Sequence, residues 1–271
     1  MAGRRLLSTL AGRLPRLVSG GALVLLAAAA WWLLTAEWQT MQEMGQAAAL
    51  PTPPGTLVFQ DLRWQVAVAM MQPASTQAYL SISALMWVVM MVAMMTPVVL
   101  PVVLLFQRTH DATPGRTPAF VAGYLGAWSL FGCALSGVQW LLHQASLLHG
   151  MLLQAGPTLA AALLIVAGLY QFTPVKRACL RHCQSPFAFL LNHWQTGQRG
   201  AFRMGAMHGA YCLGCCWALM LLMFVGGVMS VVAMAILAAT MLLERVLPAG
   251  PWSYALPGAV LLAAGAVLAL G

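Results

Sequence analysis

Residues 205–247 read GAMHGAYCLGCCWALMLLMFVGGVMSVVAMAILAATMLLERVL, one apolar block of 43 residues. Its only charged residues, Glu244 and Arg245, stand side by side near its end, and we expect them to form a local ion pair or an interface anchor. An α-helix needs about 20 apolar residues to cross a bilayer. The block is therefore predicted to cross twice, with a turn at GGVMS, residues 226–230.

The whole composition is that of a membrane protein. Apolar residues make up 61% of the 271 residues and charged residues only 7%, whereas a soluble domain has about a quarter charged residues. Spanning β-strands would be shorter and would alternate in polarity. The sequence therefore predicts an all-α, polytopic transmembrane helical bundle of about seven spans. These lie at roughly residues 17–36, 80–106, 119–142, 151–171, 206–229, 231–247 and 252–271.

The distribution of basic residues predicts that the N-terminus is cytoplasmic, since positive charges concentrate on that side of a membrane. Only Arg63 then lies outside, and the net charge of +8 reflects topology rather than a nucleic-acid surface. The basic residues predicted on the cytoplasmic side are Arg4, Arg5, Arg13, Arg16, Arg108, Arg116, Lys176, Arg177, Arg181, Arg199, Arg203 and Arg245. The predicted regions are a cytoplasmic N-terminus with a first anchor (1–36), an extracytoplasmic loop (37–79), a metal-binding membrane domain with Met-rich and Cys-rich motifs (80–250) and a last span (251–271).

Five of the six cysteines fall into two clusters, CLRHC with Cys179 and Cys183, and CLGCC with Cys212, Cys215 and Cys216. Positions i, i+3 and i+4 share a face of a helix, so the three thiols of the second cluster are expected to project together. The predicted topology places the first cluster in a cytoplasmic loop and the second about 9 Å into the fifth span from the same side. The two clusters are therefore expected to meet near the cytoplasmic face.

Histidines and methionines extend this pattern. His208 precedes Cys212 by one helical turn, Met220 and Met223 continue the row after it, and His182 lies inside the first cluster. All four are candidate metal ligands. Small residues at four-residue spacing predict a separate face for close helix packing, namely Ala206, Ala210, Gly214 and Ala218.

A methionine stripe lies in MWVVMMVAMM, residues 86–95. Met90 and Met94 are one turn apart, with Met91 and Met95 beside them. Methionine commonly fills irregular cores, but the predicted depth of this stripe matches that of Met220 and Met223 in the fifth span. We therefore predict a graded path, with thioethers toward the outside and middle of the membrane and thiolates at its inner face.

The ligand types favour a soft metal. Thiolates and thioethers together select Cu(I), but zinc remains an alternative because paired cysteines at these spacings also suit zinc. Two further interpretations remain. The cysteines could simply fill the buried core, or Cys212 and Cys215 could form a redox Cys-x-x-Cys pair. The redox interpretation is less favoured because cytosolic thiols are kept reduced. The five acidic residues of the chain leave little for acid–base catalysis. A glycine-rich phosphate loop is also missing, so no nucleotide is expected.

Three motifs, in this order, resemble a known family. They are LMWVVMMVAMMTP (85–97), YQFTPVKRACLRHCQSPFAFL (170–190) and HGAYCLGCCWALM followed by FVGGVMS and LLER (208–245). The family is described as predicted metal-binding integral membrane proteins, bacterial inner-membrane proteins with a domain of unknown function, and the resemblance covers roughly residues 80–250. Some members resemble copper chaperones that load a copper oxidase of the tyrosinase type. Gln184 stands where a basic residue is usual, and Ser230 where asparagine is usual.

The resemblance implies a metal-binding role for the five clustered cysteines and for Met90, Met91, Met94 and Met95. With the residue pattern, it leads us to expect a multi-pass inner-membrane Cu(I)-binding protein in contact with lipid. This protein would not be an enzyme but a chaperone or assembly factor for a cuproenzyme client. Transmembrane metal transport, a membrane thiol–disulfide oxidoreductase and a structural zinc site in a transporter remain open alternatives. The oligomeric state is not predicted.

Overall fold

A computed structural model describes residues 20–36, 38–39, 77–109, 115–150, 152–247 and 250–270, and these are mostly helical. Proline begins several of the helices, where its missing N–H and fixed φ cost nothing. The helices are α1 (Gly20–Ala36), α2 (Gln77–Thr109), α3 (Arg116–Gln144), α4 (Pro157–Gln171), α5 (Pro174–Gln184), α6 (Pro186–Asn192), α7 (Gly197–Leu221), α8 (Met223–Gly226), α9 (Val231–Val246) and α10 (Pro251–Leu270).

A small hairpin interrupts the helices. Strands β1 (Leu148–His149) and β2 (Gln154–Ala155) pair antiparallel, with Leu148 opposite Ala155. The predicted fourth span, 151–171, therefore begins in a hairpin, and its helix starts only at Pro157. Apart from this hairpin, the described residues have the predicted all-α class.

Candidate membrane spans are fewer than predicted. Within the described residues, Tyr79–Arg108, Arg116–Gln144 and Gly197–Gly226 are long and apolar enough to cross a membrane, and α4 with α5, bent by 66°, makes a possible fourth. Helices α1 and α10 are apolar but shorter, and α9 has 16 residues. The count of about seven and the cytoplasmic N-terminus are therefore not supported. Residues 1–19 and 40–76, which carry much of the charge pattern, lie outside the described residues, so the division into regions stays a prediction.

Helix α3 lies between α2 and α7 and contacts both along their lengths. Glycines bring α3 and α7 together, because a Cβ on Gly123 would overlap the carbonyl of Phe202, and one on Gly205 would overlap the carbonyl of Phe120. The close face of α7 thus begins at Gly205, one position before the predicted face at residues 206, 210, 214 and 218. Ala210, on that predicted face, is exposed.

The segment 172–204, predicted as an inner loop, is mostly helical. The chain bends at Thr173, whose Oγ1 accepts a hydrogen bond from the Lys176 N–H at 3.2 Å and so caps α5. The bend turns α5 against α7, where Tyr170 donates a hydrogen bond to the Gly214 carbonyl. The bend therefore carries the first cysteine cluster to the second.

Two of the basic residues assigned to the cytoplasmic side are buried. Lys176 is 0% exposed and Arg116 is 1% exposed. The Arg116 guanidinium donates to the Gln195 carbonyl at 2.7 Å and lies over the rings of Trp194 and Phe106. This contact ties the segment before α7 to the α2–α3 pair. Lys176 and Arg116 are therefore not exposed charges of the kind that set topology.

Helix α7 begins at Gly197, nine residues before the predicted span at 206. Cys212 is therefore about 22 Å from the start of the helix at 1.5 Å per residue, rather than near its end. The apolar segment Gly197–Gly226 has 30 residues, or about 45 Å of helix, against a hydrocarbon core of about 30 Å. Its first turns can extend beyond the membrane, and the depth of the thiols stays a prediction.

Candidate functional site

The two cysteine clusters come together where α5 packs on α7. Cys183 of α5 and Cys215 of α7 are close enough for their thiols to interact. Cys179 lies against Gly214, since a Cβ added to that glycine would be 2.7 Å from its sulfur. Cys183, Cys212, Cys215 and Cys216 are buried, and Cys179 is half-buried. The sequence predicted that Cys212, Cys215 and Cys216 share one face of a helix and that the two clusters meet. The structure brings the clusters together through the bend at Thr173.

The thiols of α7 turn toward their own backbone. Cys215 and Cys216 both donate to the Cys212 carbonyl, at 3.0 and 2.9 Å. The Cys212 sulfur lies 3.1 Å from the hydroxyl of Tyr124 on α3. Within the described ranges, no group of three or more His, Cys, Asp or Glu side chains has a geometry that could hold a metal ion. The sulfurs are therefore close together but do not point at one common position.

Arg245, at the end of α9, reaches into this cluster. Its Nη2 donates to the Cys212 sulfur at 2.5 Å and lies 3.9 Å from that of Cys215. Sequence reasoning assigned no site role to Arg245. The available signal was a basic residue at the end of an apolar block that also carries three cysteines, since charged residues within such segments commonly mark functional sites.

Glu244 does not form an ion pair with its neighbour Arg245, which was one of the two roles expected for it. Its two carboxylate oxygens each accept a hydrogen bond from Lys176 of α5 at 2.8 Å, and the pair is buried. Gln184, the last residue of α5, donates to the backbone carbonyls of Glu244 and Leu247 at 2.7 and 3.1 Å. Helix α5 thus holds the end of α9 on both sides of Arg245, which fixes where the guanidinium lies.

His208 is completely buried one turn before Cys212, and neither ring nitrogen has a hydrogen-bond partner in the described chain. The rings of Phe189, Tyr124 and Phe120 surround it, with centroids 4.9, 5.7 and 6.3 Å away. Burying polar nitrogens without partners is costly, so the fold keeps this imidazole next to the thiols at a cost.

His182, by contrast, is exposed. Its ring stacks on Tyr211 at 4.4 Å, and its Nδ1 lies 2.9 Å from the Ala178 carbonyl. Tyr211 is the residue before Cys212 in α7, so His182 covers the outer side of the cluster. The structure therefore places it beside the thiol cluster but not inside it.

The predicted methionines are all buried. Met90, Met91, Met94 and Met95 of α2 are at most 1% exposed. Met220 and Met223 are 0% exposed and belong to the same hydrophobic core, which also contains the buried cysteines. The stripe and the thiols are thus parts of one continuous interior. Sequence reasoning missed three further buried methionines of this core, Met204 of α7 and Met234 and Met241 of α9.

Aromatic contacts and a polar network fix the position of the methionine stripe along the bundle. The rings of Trp87 and Phe224 lie 5.6 Å apart, which puts the start of the stripe level with the residue after Met223. The Trp87 indole donates to Gln139 at 2.7 Å, and Gln139 donates to the Tyr79 hydroxyl at 2.9 Å. These buried bonds fix α2 against α3 at the depth where the thioethers begin.

A protein-family model matches the part of the chain that carries the methionine stripe and both cysteine clusters. The profile described as PpoB2, copper chaperone, matches residues 84–268, well over half of the chain. The chain belongs to this copper chaperone family. The resemblance drawn from the three motifs is confirmed, and membership supports a copper-related role. The matched region runs from the methionine stripe through both cysteine clusters and Arg245 into α10. No curated protein and no solved structure matches the chain.

Proposed function

We propose that this protein is an integral membrane protein that binds Cu(I) between the thiols of α5 and α7 and delivers it to a cuproenzyme. The proximity of Cys183 to Cys215 carries the proposal, because it joins two packed helices and two separate sequence motifs in one sulfur-rich position. Soft thiolates favour Cu(I) over harder cations. Membership of a copper chaperone family supports copper as the cargo.

The ligands would change partners without an energy source. Cu(I) is stable with two or three sulfur ligands, so each new copper–sulfur bond can form as another breaks. Cys215 and Cys216 would first release the Cys212 carbonyl by rotating about χ1. His208 and Cys179 lie at the edges of the cluster as further donors. The thioethers of Met90, Met91, Met94, Met95, Met220 and Met223 would extend the path into the bundle. No catalytic reaction is part of this proposal.

The proposed membrane arrangement is the multi-pass one, with about seven spans and a cytoplasmic N-terminus in a bacterial inner membrane. Exposed side chains on the three shorter helices support additional lipid contact. Leu25 of α1 is 71% exposed, Ile236 of α9 is 61% exposed, and Val267 of α10 is 71% exposed. Large apolar side chains on the outside of a bundle suit lipid better than water.

Metal transport across the membrane is a second candidate, favoured by the broken helix pair α4–α5. Broken helices line the substrate sites of many transporters. Here the 66° break is followed directly by Cys179 and Cys183. Copper flux into proteoliposomes, without any client protein, would favour transport over delivery.

Metal analysis of the full chain, purified anaerobically in detergent, tests the proposed site. We expect near-stoichiometric copper and reduced thiols in the parent protein. Copper should be lost in the Cys183→Ser/Cys215→Ser variant and retained in Cys133→Ser, whose cysteine is exposed on α3. Zinc in place of copper would indicate a structural zinc site instead. A disulfide with bound quinone would indicate a thiol–disulfide oxidoreductase.

Delivery has its own test, because binding alone does not establish it. The copper content of a client cuproenzyme should fall when the chaperone is deleted and recover when the parent protein is restored. The Cys183→Ser/Cys215→Ser variant should not restore it, whereas Cys133→Ser should. Full copper loading of the client by the double variant would contradict delivery through these thiols.

A further inference from the structure

Arg245 has sulfur, rather than a carboxylate, as its hydrogen-bond acceptor. Glu244 is the only acidic side chain among the described residues, and Lys176 binds both of its carboxylate oxygens. The Arg245 guanidinium instead donates to the Cys212 sulfur, with the Cys215 sulfur 3.9 Å away. Its Nη1 is buried without a hydrogen-bond partner in the described chain. The guanidinium is therefore positioned to interact with an anionic group that binds near the thiols.

The position of Arg245 is fixed by its neighbours in the chain. Residues on both sides of it are held by α5, through the Lys176–Glu244 pair and the bond from Gln184 to the Leu247 carbonyl. A buried cation without a compensating charge is costly. The fold thus keeps a positive charge against the thiols at a cost that a bound anionic group would offset.

A metal–thiolate complex has the charge that would offset it. When Cu(I) replaces the protons of two thiols, both protons go to solvent, and the bound unit of one monovalent ion and two thiolates carries a charge of −1. With the guanidinium beside it, the sum is zero. A divalent ion on the same two thiolates gives a neutral unit and leaves the guanidinium charge uncompensated. The charge of Arg245 therefore distinguishes monovalent from divalent ions.

We propose that Arg245 is the counter-cation of a metal–dithiolate unit and determines the specificity of this site for a monovalent soft ion, Cu(I) or Ag(I). The inference rests on the proposed function but concerns charge rather than sulfur affinity. Arg245 touches the candidate ligand Cys212 and would act through it, as a positioning residue. Substituting Arg245 should therefore change the binding affinities of soft monovalent ions and soft divalent ions by different amounts.

Hg(II) supplies that contrast, because it also forms linear dithiolate complexes but gives a neutral unit. We would measure the affinities of the purified full chain for Cu(I), Ag(I) and Hg(II) by competition with small-molecule chelators. Arg245→Met should weaken Cu(I) and Ag(I) binding about tenfold to a hundredfold, and Hg(II) binding should change little. Arg245→Lys, which keeps the charge, should restore most of the Cu(I) affinity. Arg245→Gln, which keeps a donor but not the charge, should not.

The matched control is Arg203→Met, since Arg203 is exposed on α7; it should leave all three affinities unchanged. Equal weakening of Cu(I), Ag(I) and Hg(II) by Arg245→Met would show a purely structural role and overturn the inference. Unchanged Cu(I) and Ag(I) binding would overturn it as well. If the parent chain binds no Cu(I), the proposed function fails, while the contrast between Ag(I) and Hg(II) still tests the role of Arg245.

Discussion

The Lys176 ammonium lies 2.8 Å from both carboxylate oxygens of Glu244, in a pair almost fully shielded from solvent. This pair joins the helix that carries Cys179 and Cys183 to the helix that ends beside Arg245. Gln171 adds a bond to the same carboxylate at 3.3 Å. The distance between the thiols and the guanidinium therefore depends on an ion pair that is itself outside the sulfur cluster.

Neutralising the carboxylate should destabilise the fold. Glu244→Gln leaves the Lys176 ammonium buried without a counter-charge, and removing one partner of such a pair costs about 3–5 kcal/mol. We expect a clear fall in the midpoint of thermal unfolding in detergent. The double variant Lys176→Met/Glu244→Met should recover most of the loss, because it leaves no buried charge. Arg199→Gln, at an exposed position, is the control. A stability for Glu244→Gln equal to that of the control would contradict a structural ion pair.

The contact between α3 and α7 predicts opposite outcomes for two glycines of the same helix. Gly123→Ala would push a methyl group into the Phe202 carbonyl and the backbone of Ala206, whereas nothing lies within 4 Å of a Cβ at Gly126. Backbone atoms cannot yield as a flexible side chain can. Gly123→Ala should therefore lower the free energy of unfolding by about 1–3 kcal/mol. Gly126→Ala should be neutral or slightly stabilising. Similar unfolding midpoints for the two variants would show that α3 and α7 are not in such close contact.

The sequence predicted the helix class and the clustering of the cysteines more successfully than the topology. Hydrophobicity correctly placed the end of the fourth span at residue 171, but it did not show that the more polar segment after Thr173 is also helical. The start of α7 was misplaced because Arg199 and Arg203 lowered its apparent hydrophobicity. The spacing of Cys212, Cys215 and Cys216 predicted that they project together because helical periodicity is local.

The meeting of the two cysteine clusters was predicted, but the contacts that hold the end of α9 were not. The pairing of Glu244 with Lys176 spans 68 positions in sequence. Helix geometry disfavours a contact between Glu244 and the adjacent Arg245, but it does not identify the distant partner. The role of Arg245 follows from where α5 holds the end of α9. The buried methionines of α9 were missed because scattered methionines have no distinctive spacing.

The hydroxyl of Tyr124 allows a test of Cu(I) binding at Cys212 by a small substitution. Tyr124→Phe removes the group that lies 3.1 Å from the Cys212 sulfur and keeps the buried ring. A single hydrogen bond contributes about 1 kcal/mol. The affinity for Cu(I) should therefore fall several-fold in a chelator competition, and the fold should stay intact. Tyr254→Phe is the matched control, since the Tyr254 ring lies against Arg177 rather than a thiol. Equal affinities in the two variants would show that the hydroxyl does not act on the bound ion.

Substitutions in the methionine stripe can separate its role in packing from a role as a copper ligand. Met90→Leu/Met94→Leu keeps the volume of two buried side chains, and such exchanges usually cost less than about 1.5 kcal/mol each. The fold should therefore persist, whereas the thioether sulfurs that would pass copper along α2 are lost. We expect a near-normal unfolding midpoint and reduced copper transfer to a client.

Met234→Leu/Met241→Leu is the control for this prediction, because these methionines are equally buried, on α9, outside the stripe. The control should keep both stability and copper transfer. If Met90→Leu/Met94→Leu transfers copper as well as the control does, the stripe serves packing alone, and the thiols of α5 and α7 must exchange copper without it. If both double variants lose transfer and both remain folded, the path includes the methionines of α9 and is wider than the sequence pattern predicts.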